Sequence, residues 1–107
     1  MSSRLEHVEF SALATYRTGF CIYVNTICQG PIPIERDQFQ NPIVYLTEIE
    51  AQREIAEWTI ERLQQFLDGE REFSDAIGVE DYVVEVTSLP DGSIIDPDGN
   101  SFGGGHG

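Results

Sequence analysis

TEIEAQREIAEWTIERLQQFLDG, running from Thr47 to Gly69, decides the fold of this chain. Thr47 is a good N-cap and Glu50 stands three residues on, the spacing of a capping box. Apolar residues then recur at helical intervals. Asp68-Gly69 supplies the stop, because Gly accepts the left-handed conformation that closes helices. The stretch predicts one helix from Glu48 to about Leu67, roughly 30 Å long. On a helical wheel Ile49, Ala56, Ile60, Leu63 and Leu67 form an apolar seam, widened by Ile55, Thr59 and Phe66, which is expected to face a sheet. Roughly opposite, Glu50, Glu54, Glu57, Glu61 and Asp68 fall within about 60° of arc.

Working outward, Phe20–Ile27 is rich in β-branched and aromatic residues and predicts a strand. Gly30, Pro31 and Pro33 end it, and a loop to about residue 41 precedes a second short strand over Ile43–Leu46. Beyond the helix, Arg71 to Ile77 predicts a short helical turn, and Tyr82–Thr87 predicts a strand with alternating faces. Pro90-Asp91-Gly92 is a turn, since Pro presets φ and Gly accepts φ > 0. Ile94-Ile95 returns as its partner strand, and Pro97-Asp98-Gly99-Asn100 is a second turn. Upstream, Ser3 and Glu6 fit capping-box spacing, and Leu5, Val8 and Ala12 follow at helical intervals, predicting a helix over 4–15. The expectation is a single α+β domain over residues 1–102. It has a small, mostly antiparallel sheet of three to four strands, with one long amphipathic helix packed on a face. Residues 103–107 are expected to form a flexible glycine-rich tail.

The 107 residues hold 19 acidic side chains against 6 basic ones, for a formal charge of −13. The charge is polarised. Residues 48–98 carry fifteen acids and three Arg, a net of −12, and residues 1–47 carry four acids and three Arg, a net of −1. Such a field repels nucleic acid and anionic lipid, so the expected partner is an Arg/Lys-rich protein surface, with no direct nucleic acid and no membrane. A 40% apolar content argues against a disordered acidic tail. No apolar run is long enough to span a bilayer and no secretory h-region is visible, so the chain reads as cytoplasmic. Cys21 and Cys28 lack CxxC or zinc spacing and read as reduced thiols.

No catalytic signature is present, and the chain reads as a non-enzyme with no cofactor and no metal. Glu54, Glu57 and Glu61 would need unlike environments to divide acid and base roles, and a solvated stripe gives them like ones. Asp96-Pro97-Asp98-Gly99-Asn100 has Ser101 where a calcium loop needs its sixth-position Gly, so it reads as a turn. The triple Gly at 103–105 lacks the Lys and helix of a phosphate loop.

The carboxylate stripe has two readings. One is a solvated face that keeps the protein in solution. The other is a partner-binding surface built from Glu50, Glu54, Glu57, Glu61 and Asp68. Its axial steps of roughly 4.5–6 Å are similar to the spacing of phosphates along a nucleic-acid strand. Trp58, beside Ala51, Ile55 and Arg62, either packs beneath the N-terminal segment or stands as an anchor for the partner. A competing account is a structural or accessory domain that self-associates, as a homodimer, through an apolar surface or sheet edge.

Gly69-Glu70-Arg71-Glu72-Phe73, Tyr82-Val83-Val84-Glu85-Val86 and Leu89-Pro90-Asp91-Gly92-Ser93-Ile94-Ile95-Asp96 together resemble small acidic proteins carried by phages and bacterial mobile elements. That resemblance implies an inhibitor occupying a host nucleic-acid-binding surface, as anti-CRISPR proteins do. It carries no functional residue over.

Overall fold

The computed structural model describes residues 16–104. The expected helix over 4–15 and the last three residues of the expected tail lie outside them. In chain order the elements are β1 (Arg17–Thr26), β2 (Gly30–Pro33), α1 (Glu48–Leu67), α2 (Phe73–Ile77), β3 (Tyr82–Ser88), β4 (Ile94–Ile95) and β5 (Ser101–Phe102). The strands form one antiparallel sheet in the order β2-β1-β3-β4-β5. The architecture is α+β, with five strands rather than three to four.

The two additional strands are β2 and β5. β2 contains Pro31 and Pro33, which lack the N–H a central strand needs and are tolerated at a sheet edge. Gly30, at φ 70°, makes the return from β1. The Thr26 hydroxyl closes that hairpin by donating to Gly30 O (2.8 Å) and accepting from Gln29 N–H (3.0 Å). The strand expected at Ile43–Leu46 reduces to one bridge, in which Tyr45 and Phe20 exchange both backbone bonds (2.7 and 2.9 Å).

β1 and β3 pair from Arg17↔Ser88 to Tyr23↔Tyr82. This register puts Gly19, Cys21 and Tyr23 on one face with Tyr82, Val84 and Val86. That face carries the core, where Cys21, Tyr23, Val86 and Ile94 are buried and Val44, Tyr82, Val84 and Phe102 pack against them. The sheet curls enough for Phe102 on β5 to meet Tyr23 on β1 edge-on, with ring centroids 6.0 Å apart. Burial pushes the Cys21 thiol up to about 12, with Glu35 adding to the effect and Arg36 opposing it. Cys28 is exposed and both thiols are free.

Gly103 and Gly104 belong to the expected tail. Gly104 N–H donates to Asn41 Oδ1 at 2.9 Å, and both residues sit at positive φ.

α1 packs against both β1 and β3. Ile22, on the face opposite the Cys21 cluster, is nevertheless buried, which places the helix on that second face. The capping box is complete. Thr47 Oγ1 accepts from Glu50 N–H (3.2 Å), and Glu50 Oε1 accepts from Thr47 N–H (3.1 Å). At the other end Phe66 meets Phe73 of α2, with centroids 5.2 Å apart.

The roll of α1 corrects the sequence expectation. The side toward the protein carries Ala51, Ile55, Trp58, Thr59, Arg62, Leu63 and Phe66, all buried or half-buried. Ile49, Ile60 and Leu67 of the expected seam are instead 54, 65 and 71% exposed, and Ala56 is exposed with them. The polar groups on the inward side are satisfied in part. Thr59 Oγ1 donates to Ile55 O (2.9 Å) and accepts from Arg62 Nη2 (3.2 Å). Arg62 buries its stem against the protein; its Nη2 has this partner, whereas its Nε is buried without a hydrogen bond.

Candidate partner-binding face

The outward half of α1 carries two stripes side by side, one apolar (Ile49, Ala56, Ile60, Leu67) and one of carboxylates. The five acids foreseen for the second stripe have different surroundings. Glu50 is exposed, but its carboxylate is engaged in the capping box. Asp68 caps the helix C-terminus and accepts from Gln64 Nε2 at 3.0 Å. Glu54 is half-buried at the edge that approaches Glu35 and Tyr45. Glu57 and Glu61 stand exposed, with no hydrogen-bonded or ion-paired partner among the described residues. Arg53, one turn from Glu50 and from Glu57, pairs with neither. Among the described residues the ion pair present is Arg71–Asp75, at 2.7 Å. The core of the stripe is therefore Glu57 and Glu61. Trp58 lies on the inward side, half-buried, with Ala51, Ile55 and Arg62 around the same arc.

The edge at Glu54 has its own electrostatics. Burial raises the Glu35 carboxyl above its ordinary 4.5; Glu54 reinforces this, and the hydrogen bond from Tyr45 Oη (2.7 Å) opposes it. Burial likewise holds the Tyr45 phenol above its usual value, and the bond to Glu35 adds to it. The sign of the stability effect follows. The fold binds this proton more tightly than the unfolded chain does, so Glu35 costs stability as pH rises through its raised pKa. Below the ordinary value the penalty is gone. Glu35→Gln keeps an acceptor for Tyr45 and removes the charge. It is expected to exceed the parent in stability at pH 7, with the gap closing as pH falls toward 4.5, read from urea unfolding at several pH values.

The cleft lined by Gln29, Pro31, Ile32, Arg36, Asn100, Ser101 and Phe102 holds one cation and no carboxylate to work with it. The 96–100 segment is a turn, in which Asp96 Oδ1 accepts from Asp98 N–H (3.0 Å) and Asn100 N–H (2.9 Å). Among the described residues no three His, Cys, Asp or Glu side chains converge as a metal site, and no helix is long and apolar enough to cross a membrane.

Sequence reasoning missed the apolar stripe as a surface feature, because it assigned those side chains to the interior. Their separations of seven, four and seven would have served either position. Compared with protein-family models, curated proteins and solved structures, the chain matches none.

Proposed function

We propose that this chain is a non-enzymatic binding protein whose α1 docks on an Arg/Lys-rich surface of a protein partner, one shaped to hold a nucleic-acid backbone. The observation that carries the reading is the exposure of Glu57 and Glu61 without a neutralising partner among the described residues. Two ionised carboxylates on a capped helix form a fixed negative row, and the net −12 over residues 48–98 extends its field. The finer reading, an inhibitor that excludes nucleic acid from a host complex, is what the resemblance of Gly69–Phe73, Tyr82–Val86 and Leu89–Asp96 to phage and mobile-element proteins implies.

The test is capture from host lysate at low salt, eluted with a salt gradient, with Glu57→Arg/Glu61→Arg as comparator. Both positions are exposed, so the variant is expected to fold. The parent should retain basic nucleic-acid-binding proteins that elute as salt rises, and the variant should lose them. Equal capture by both proteins would show that this face is not the interface.

A second reading has its own observation, the exposure of Ile49, Ile60 and Leu67. It makes the chain an accessory domain that pairs with itself through apolar surface. Light scattering that depends on protein concentration and ignores salt would favour it.

A further inference from the structure

We propose, resting on the acidic-face reading above, that the occupant of the outward face of α1 is an amphipathic helix of a partner protein, with an apolar stripe flanked by Arg or Lys. The first stripe has the shape for it. Ile49, Ala56, Ile60 and Leu67 fall within about 40° on the wheel and run about 27 Å along the axis. A straight apolar ridge of that length suits another helix, read at i, i+3, i+4 and i+7. A phosphate-like row of charge alone would not need it.

Charge chooses among occupants. Beside the ridge stand Glu50, Glu57, Glu61 and Asp68, against Arg53 alone. The last turn of α1 holds no basic residue. A second copy would bring −13 against −13. Residues 1–15 of the chain itself carry two Glu and one Arg, so they offer no complementary charge. A cationic amphipathic helix satisfies both stripes at once, its apolar residues on Ile49, Ile60 and Leu67 and its flanking cations toward Glu57 and Glu61.

The probe is a Leu/Lys helical peptide of about 18 residues, long enough to cover the ridge. The comparators are the same peptide with Ser for Leu and a Leu/Glu peptide of equal length. Calorimetry on the full chain should show the Leu/Lys peptide binding at least ~30-fold tighter than the Ser/Lys peptide, with no Leu/Glu binding. Ile49→Ser/Ile60→Ser/Leu67→Ser should lose that ~30-fold advantage and keep the weak Ser/Lys binding. Glu57→Gln/Glu61→Gln should weaken the Leu/Lys peptide ~10-fold and flatten its salt dependence. All five positions are exposed, and thermal melts by circular dichroism verify that each variant is folded.

Equal affinity for Leu/Lys and Ser/Lys peptides, unchanged in the Ser variant, overturns the helix proposal and leaves the acidic-face reading standing. Leu/Glu binding as tight as Leu/Lys, indifferent to the Gln substitutions, overturns both. A parent that sediments as a dimer, made monomeric by the Ser substitutions, identifies a second copy as the occupant and overturns the proposal.

Discussion

Asp96→Ala is expected to destabilise the protein by about 3 kcal/mol, measured by urea unfolding. Asp96 is only 6% exposed, and both of its oxygens are in use. Oδ1 accepts from the backbone N–H groups of Asp98 and Asn100, which holds the β4–β5 turn. Oδ2 accepts from Tyr23 Oη at 3.2 Å, linking that turn to the centre of β1. Burial, then the Asp96 charge, then this hydrogen bond hold the Tyr23 phenol above its ordinary pKa, so it remains a donor. Alanine leaves a buried hydroxyl and two turn amides without their acceptor, and an unmet buried donor costs about 1–3 kcal/mol. Asp96→Asn keeps the Oδ1 acceptor, and the Tyr23 hydroxyl can accept from its amide. Its cost should be less than half that of Ala. Equal costs for Ala and Asn would mean that the charge, and not the hydrogen-bond geometry, holds the turn.

Gly19→Ala is expected to cost about 2 kcal/mol through overpacking. A Cβ at Gly19 would run into Val44 Cγ1 and lie 3.3 Å from Tyr45 O. Val44 is branched at Cβ and has few rotamers in which to retreat. Tyr45 cannot move without breaking its paired backbone bonds to Phe20. Val44→Ala removes the obstructing methyl, so the double variant should be more stable than the sum of the two single losses predicts. Additive losses would show that the chain between β2 and α1 does not press on β1 at this point. The prediction bears on the candidate site because that same segment leads into Thr47, the cap that starts α1.

The helix was readable because its signals are local. Thr47 and Glu50 satisfy each other across three residues, and Gly69, at φ 82°, follows the cap residue Asp68. The roll of the helix was not readable. Two apolar arcs lie on α1, and the one with three large aliphatics, Ile49, Ile60 and Leu67, is in solvent, while the inward one has two, Ile55 and Leu63. The inward arc contains Thr59 and Arg62, whose polarity lowers it in a hydropathy pattern. Within the helix Thr59 bonds Ile55 O and Arg62 Nη2 bonds Thr59, but hydropathy alone does not register such pairing. β2 was hidden for a different reason. Pro31 and Pro33 signal a break when only the chain is visible, and an edge strand once the hydrogen-bonding side is known. β5 is two residues long, too short for any periodicity to register. Within the carboxylate stripe, spacing placed all five acids together, but spacing cannot tell a carboxylate held by a cap, as in Glu50, from a free one, as in Glu57.

The central claim is that the outward face of α1 is where a cationic partner sits. Amide-resolved NMR of the full chain, titrated with the Leu/Lys helix peptide, tests it most directly. Shifts are expected to concentrate at Ile49, Arg53, Glu57, Ile60, Glu61 and Gln64, while Tyr23, Val86 and Ile94 stay still. Shifts gathered instead along β2 or β5, with α1 unmoved, would contradict it.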